Sequence, residues 1–196
     1  MHLMTKVIGL TGGIATGKST VSSYLKKKGY FIIDADMIAH DALMKGKKPY
    51  ELVCAHFPSV VEEGEINRRA LGKIVFHDQK EKDILESYVL PYVREEIEKE
   101  IEKHEEVILD VPLLFEKQYD ILCDFIIVVS CSYEIQLKRL MERNHFSKEE
   151  AHVRIMSQMS LAEKEKRADY IIHNDGNLEE LYKQVDDVIR EVKHAF

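Results

Sequence analysis

Residues 12–19 constrain the fold more than any other part of the chain. Their sequence, Gly-Gly-Ile-Ala-Thr-Gly-Lys-Ser, matches the pattern G-x-x-x-x-G-K-[ST] in full. An apolar run at residues 7–10 precedes the motif, and Val21, Tyr24 and Leu25 share one face of a helix after it. A strand, a glycine-rich turn and a helix in this order predict a phosphate-binding loop, rather than a chance Lys-Ser pair after a turn.

Each part of this loop has a physical role toward a polyphosphate. Glycines allow backbone angles and close approaches that a Cβ atom prevents. Successive N–H groups and the helix N-terminus surround the β- and γ-phosphates with partial positive charge. Lys18 adds a full charge, and the Ser19 hydroxyl is a candidate ligand of Mg²⁺. We expect the following residues to bind the nucleotide: Gly12, Gly13, Ile14, Ala15, Thr16, Gly17, Lys18, Ser19 and Thr20.

Strands and helices are predicted to alternate along the chain. Helical patterns separate short, continuously apolar runs, which are typical of strands covered on both faces. The clearest helix is the last one, where apolar residues recur at helical spacing between residues 178 and 192. This alternation predicts an α/β, doubly wound core with a parallel sheet. The five predicted strands are residues 7–10, 30–33, 107–109, 125–129 and 170–172.

Two segments interrupt the alternation. Residues 37–103 contain no convincing strand, and residues 133–167 are helical, with Ser147 and Glu150 as a capping box. Both segments follow the carboxyl ends of predicted strands, where ligands of parallel sheets bind. We interpret the first segment as a substrate-binding subdomain and the second as a lid. The predicted domains are a nucleotide-binding core at residues 1–36, 104–136 and 164–196, an acceptor subdomain at 37–103 and a lid at 137–163.

Carboxylates follow two of the predicted strands. Asp34-Ala35-Asp36 ends the second strand, and alternation would put both aspartates on one side. We assign Asp36 as the base that accepts the proton of an acceptor hydroxyl; the alternative, that the pair only caps the next helix, fits the pattern equally well. Asp110 follows the third strand and is a candidate Mg²⁺ ligand, and Glu116 lies in the loop after it.

Charge and hydropathy limit the classes of partner. The formal net charge is -7, which argues against binding long nucleic acids through the surface but allows a local cationic pocket. Residues 1–6 lead into the first strand without the apolar stretch of a signal peptide, and the longest apolar run, 125–129, is too short to span a bilayer. We therefore expect a cytoplasmic protein that binds neither nucleic acid nor membrane.

Besides the phosphate loop, the chain carries a D-x-D after the second strand and the sequence P-L-L-F-E at residues 112–116. These motifs belong to a larger set of stretches, at residues 10–20, 33–36, 68–71, 111–116, 136–139 with Arg143, and 168–176. Together the stretches resemble the dephospho-CoA kinases: they occur in the order found in that family and cover nearly the whole chain. The D-x-D combined with P-L-L-F-E is more particular than the phosphate loop.

The resemblance implies a fold, a reaction and its cofactors. The fold would be a three-layer core of the P-loop nucleoside-triphosphate hydrolase type, with a five-stranded parallel sheet, a helical substrate-binding insertion and a helical lid. The reaction would be transfer of the ATP γ-phosphate, with Mg²⁺, to the ribose 3′-hydroxyl of dephospho-CoA, the final step of coenzyme A synthesis. The small-molecule substrate is then dephospho-CoA, and we expect a monomer or a small homo-oligomer.

The resemblance also implies roles for single residues. Asp36 would be the base, Lys18 and Ser19 would serve phosphate and magnesium, and Arg139 and Arg143 would be lid arginines near the phosphates. Asn174 would lie by the adenine. On the acceptor side would lie Thr11, Asp36, Arg68, Arg69, Leu113 and Glu116.

Two other functions compete with this one. A nucleoside monophosphate kinase has a phosphate acceptor, which chiefly needs arginines rather than a base such as Asp36. A nucleotide-controlled switch would carry switch loops and a guanine-binding N-K-x-D, and the sequence contains neither.

Overall fold

The structure, a computed structural model, describes residues 5–196. Its internal contacts divide the chain into two compact units, the first comprising the described residues up to Ile33 with His104–Phe196, and the second Asp34–Lys103. The helices and strands are β1 (Lys6–Gly12), α1 (Lys18–Lys27), β2 (Ile32–Asp34), α2 (Ala35–Ala42), α3 (Lys48–His56), β3 (Val61–Glu62), β4 (Glu65–Ile66), α4 (Arg68–His77), α5 (Gln79–Ile101), β5 (Glu106–Asp110), β6 (Phe125–Ser130), α6 (Tyr133–Asn144), α7 (Lys148–Met156), α8 (Leu161–Lys166), β7 (Tyr170–His173) and α9 (Leu178–Ala195).

A five-stranded parallel sheet forms the centre of the first unit, with strand order β2-β5-β1-β6-β7. β1 lies between β5 and β6, with Leu10 opposite Asp110 and Gly12 opposite Val129. Because parallel strands share their direction, the residues that follow β1, β5 and β6 emerge at one edge of the sheet. All five predicted strands and the parallel sheet are confirmed.

Helices α1 and α9 cover one face of this sheet. Leu25 of α1 and Leu181 of α9 are almost fully buried in one cluster with Ile8 and Leu10 of β1. Val7, which points to the opposite face, is also buried. Burial on both faces explains why the strands are continuously apolar in sequence.

The second unit consists of α2–α5 and a short hairpin. Its buried cluster includes Val53, Phe57 and Leu71. The hairpin pairs β3 with β4, and Glu63 and Gly64 between them have φ values of 51° and 80°, as in a two-residue type I′ turn. The prediction that residues 37–103 contain no strand was wrong, because strands of two residues show no alternation.

The end of β2 also differs from the prediction. The strand stops at Asp34, and Ala35 is already the first residue of α2. Asp34 Oδ1 accepts a hydrogen bond from the Met37 N–H at 3.0 Å, so Asp34 is the N-cap of this helix. The expectation that Asp34 and Asp36 alternate along a strand was therefore wrong. Capping prevails because the carboxylate satisfies an N–H group that has no partner within the helix.

Three helices, α6–α8, form the segment predicted as a lid. The capping box at the start of α7 is confirmed: the Ser147 hydroxyl accepts from the Glu150 N–H at 3.1 Å, and Glu150 Oε2 accepts from the Ser147 N–H at 2.8 Å. By its contacts this segment belongs to the first unit. Among residues 5–196, no helix is both long and apolar enough to cross a membrane.

We predict that two leucines of α9 differ sharply in their effect on stability. Leu181 is 1% exposed and Leu178 is 58% exposed. Leu181→Ala should lower the free energy of unfolding by about 2–5 kcal/mol, because it leaves a cavity in the core. Leu178→Ala should change it by less than about 0.5 kcal/mol. Urea denaturation measures both, and equal losses would contradict the packing of α9 on the sheet.

Candidate active site

At Gly17, the turn between β1 and α1 has a backbone that glycine adopts most easily. Gly17 is the N-cap of α1, with φ of 96°. A Cβ atom at this position would lie 2.1 Å from Asn174 Nδ2. The left-handed backbone and the close side chain together require a glycine here, which explains the second glycine of the motif.

Hydrogen bonds through Thr16 hold this turn from within. Thr16 is fully buried, and its hydroxyl donates to the Gly13 carbonyl at 2.9 Å. Its own carbonyl accepts from Asn174 Nδ2 at 2.8 Å, and the Asn174 carbonyl accepts from Arg139 at 2.9 Å. The turn, the residue after β7 and helix α6 are thus joined in one chain of bonds.

Two glutamines bind the main chain of Ile14. Gln136 Nε2, on α6, donates to the Ile14 carbonyl at 2.7 Å. Gln158 Oε1, between α7 and α8, accepts from the Ile14 N–H at 2.9 Å. Neither glutamine was predicted as a site residue. The available signal for Gln136 was a polar residue within the apolar face of α6, where it is 3% exposed.

An ion pair between a half-buried lysine and a buried aspartate lies beside the turn. Lys18 Nζ donates to Asp110 Oδ1, and the two side chains are 16% and 5% exposed. The strand register produces this contact, because Asp110 lies opposite Leu10 at the end of β5. Ser19 is exposed on the first turn of α1. The structure therefore brings together the cation and the acid that the sequence assigned to phosphate and metal.

The loop after β5 is fixed by polar contacts. Thr11 is fully buried and its hydroxyl donates to the Pro112 carbonyl at 3.1 Å. Leu113 is half-buried. Glu116 Oε1 accepts from the Met159 N–H at 3.0 Å, whereas Glu116 Oε2 is buried and has no hydrogen-bond partner among the described residues.

Lys164 is a charged residue of this region that sequence reasoning missed. It is fully buried, and its ammonium group lies 3.2 Å from the Gly12 carbonyl, 2.7 Å from the Pro112 carbonyl and 3.0 Å from Glu116 Oε1. Burial lowers the pKa of Lys164, and the Glu116 carboxylate acts in the opposite direction. Its sequence context, Leu-Ala-Glu-Lys-Glu-Lys, resembles an exposed helix and gives no signal of burial.

The two arginines of α6 differ in environment. Arg139 is half-buried and bonded to Asn174, whereas Arg143 is exposed and its Nε donates to Asn144 Oδ1 at 2.9 Å. Of this pair, only Arg139 is bonded into the turn.

The remaining predicted residues belong to the second unit. Asp36 is exposed in the first turn of α2. Arg68 is half-buried and donates to the His40 carbonyl at 2.8 Å, while its NH1 atom is buried without a hydrogen-bond partner in the described part of the chain. Arg69 is exposed.

Known proteins match this chain over nearly its full length. A family model described as dephospho-CoA kinase matches residues 6–180. The dephospho-CoA kinase of Lactobacillus johnsonii is 42% identical over 196 residues, covering 96% of this chain and 99% of the relative. That of Arabidopsis thaliana is 41% identical over 195 residues, covering 96% of this chain and 84% of the relative.

Solved structures agree with the sequence comparison. Dephospho-CoA kinase from Campylobacter jejuni superposes with a TM-score of 0.75 at 32% identity, covering 98% of this chain and 99% of that one. A protein from Thermus thermophilus superposes with a TM-score of 0.84 at 35% identity, covering 95% and 97%. A shikimate kinase from Bacteroides thetaiotaomicron, at 16% identity and a TM-score of 0.52, shares the fold alone. The predicted P-loop α/β fold is confirmed, and the chain belongs to the dephospho-CoA kinase family.

Proposed function

We propose that this chain transfers the γ-phosphate of ATP to the ribose 3′-hydroxyl of dephospho-CoA, giving CoA and ADP. The observation that carries the proposal is the left-handed Gly17 at the start of α1, followed by Lys18, in a chain that matches this family from residue 6 to residue 180. We further propose that it acts in the cytoplasm as a monomer or small homo-oligomer, without nucleic acid or membrane as a partner.

The phosphate loop would bind ATP through its main chain and through Lys18. N–H groups at the start of α1 carry partial positive charge toward an anion, and the Lys18 ammonium adds a full charge. Hydrogen bonds from other parts of the protein to Thr16 and Ile14 hold the loop in place, together with the bond from the Thr16 hydroxyl to the Gly13 carbonyl. A loop that is already ordered loses less conformational freedom on binding, which supports a role in binding rather than in folding alone.

Ser19 and Asp110 would hold Mg²⁺. Both supply oxygen atoms, which Mg²⁺ prefers, and kinase sites complete the coordination with substrate phosphates and waters. Asp110 already lies against the loop through its bond to Lys18, and this supports the assignment. When bound, the ion neutralises phosphate charge as the γ-phosphoryl group transfers.

Asp36 would accept the proton of the 3′-hydroxyl. It is exposed, and it lies in the first turn of α2, where the helix N-terminus favours a negatively charged carboxylate. A positioned carboxylate of this kind assists phosphoryl transfer to an alcohol.

Other residues would bind the acceptor and close over it. Arg68 supports binding of an anionic acceptor better than Arg69, because its buried NH1 retains donor capacity. Glu116 has a buried oxygen, Oε2, that can accept a hydrogen bond, and Thr11 and Leu113 flank the same loop. That residues 137–163 move as a lid, with Arg139 and Arg143 near the phosphates and Asn174 near the adenine, stays a prediction.

An acceptor comparison tests the proposal directly. With Mg²⁺ and ATP, we expect ADP release with dephospho-CoA and little release with adenosine or nucleoside monophosphates. Phosphorus NMR of the product should place the new phosphate on the ribose 3′ oxygen. ADP release that depends on a nucleoside monophosphate would instead identify a nucleoside monophosphate kinase.

Asp36→Asn tests the base. It keeps the size of the side chain and removes the proton acceptor, so kcat should fall about 100-fold or more, while the Kd of ATP stays within about twofold because the phosphate loop is unchanged. Asp41→Asn, on the same helix and half-exposed, is the matched control and should leave kcat unchanged. Wild-type turnover in Asp36→Asn would refute the assignment.

Gly17→Ala tests the phosphate loop against a control with the same backbone. Gly17 and Gly29 have φ values of 96° and 95°, but a Cβ on Gly29 has nothing within 4 Å. Gly29→Ala should cost about 1–2 kcal/mol of stability from backbone strain and leave the Kd of ATP unchanged. Gly17→Ala adds the clash with Asn174 and should raise the Kd at least about tenfold. Calorimetric titration measures both, and equal Kd values would refute the loop assignment.

A further inference from the structure

Lys164 is a fully buried lysine in a six-residue helix, and the reaction proposed above gives it no role. A buried ammonium group is unfavourable unless it is paired and hydrogen-bonded. The environment of Lys164 therefore has to supply partners for the whole charged group.

Three oxygen atoms surround the Lys164 ammonium. They are the carbonyl of Gly12 at 3.2 Å, the carbonyl of Pro112 at 2.7 Å and Oε1 of Glu116 at 3.0 Å. An ammonium group has three N–H donors, so its donors match these three acceptors. The side chain thus has no donor left for a substrate, and a direct role in catalysis does not fit.

The two carbonyl acceptors lie at the two strand ends that form the candidate site. Gly12 ends β1 and opens the phosphate loop, and Pro112 lies two residues after Asp110 of β5. The Pro112 carbonyl also accepts the Thr11 hydroxyl at 3.1 Å, so it receives one bond from β1 and one from α8.

We propose that Lys164 is a positioning residue that fixes the phosphate loop relative to Asp110. By binding the carbonyls of Gly12 and Pro112 together, it sets the position of the end of β1, which leads into the loop with Lys18, relative to the end of β5, which carries Asp110. Phosphoryl transfer depends mainly on positioning and electrostatic stabilisation, so a small shift between these ends changes both ATP binding and turnover. The inference rests on the proposed binding of ATP by this loop.

A purely structural role is the competing explanation. Lys164 also attaches α8 to the rest of the first unit, alongside the neighbouring bond between Glu165 and Ser130 and the ion pair of Arg167 with Asp120 at 2.9 Å. In that case the loss of Lys164 would lower stability, and any change in ATP binding would disappear once stability was restored.

Two variants and one control separate these explanations. Lys164→Met keeps most of the length of the side chain but removes all three donors, and it leaves the half-buried Glu116 carboxylate without its cation. The double variant Lys164→Met/Glu116→Met removes both charges, which should restore stability because replacing both members of a buried pair by apolar groups is often neutral. Lys166→Met, an exposed lysine on the same helix, controls for the loss of one positive charge.

The readouts are the urea unfolding midpoint, the Kd of ATP, kcat and the KM of dephospho-CoA. For both Lys164 variants we expect the Kd of ATP to rise about tenfold and kcat to fall about 100-fold, the size of effect that small misplacements cause. The double variant should recover the unfolding midpoint but not the Kd of ATP. Its KM for dephospho-CoA is not diagnostic because Glu116 is changed. That KM is not diagnostic in Lys164→Met either, because the variant removes the cation paired with Glu116. Lys166→Met should match the wild type in all four quantities.

The other outcomes reject either the positioning role of Lys164 or the proposed function. A folded Lys164→Met, or a folded double variant, with wild-type Kd and kcat overturns the positioning role. If neither variant folds, Lys164 is required for folding and the positioning role is rejected. If the wild-type protein itself does not bind ATP, the proposed function fails, independently of any Lys164 variant.

Discussion

Two ion pairs near the carboxyl ends of β1 and β5, each with one buried and one half-buried member, constrain the packing around the phosphate loop. Lys18 pairs with Asp110, and Lys164 pairs with Glu116. Charges leave water at an acceptable cost only when their partners stay in place. The phosphate loop, the loop after β5 and helix α8 must therefore form together. The parallel sheet makes this possible, because β1 lies directly beside β5 and their ends coincide.

The sequence predicted the parts of the fold that depend on apolar burial along several residues. All five sheet strands were found because strands buried on both faces are continuously apolar, and α9 was found from its regular apolar spacing. Two features of the fold were not predicted, because each is too short to give a periodic pattern in the sequence. β3 and β4 have two residues each, and in Asp34-Ala35-Asp36 one capping hydrogen bond decides where the strand ends.

In the candidate site, the sequence predicted side chains that belong to a motif or a strand end. It did not predict side chains whose partners are main-chain atoms. Lys18 and Asp110 were found because a motif and a strand end identify them, and the structure joins them. Gln158 and Lys164 bind backbone atoms of Ile14, Gly12 and Pro112. Every residue has such atoms, so the sequence carries no pattern for these contacts, and only the tertiary fold determines which side chain reaches them.

The contacts of residues 133–167 bear on how an acidic protein can bind a polyanion. The chain carries a net charge of -7, so its long-range field does not attract a triphosphate. Attraction must come from short-range groups, namely the Lys18 ammonium and the dipoles of the loop. The dipoles act only if the N–H groups are already oriented. Gln136, Gln158 and Lys164 each bind main-chain atoms between Gly12 and Ile14. The helical segment that was predicted to place arginines near the phosphates thus holds the main chain of the loop that we propose binds them.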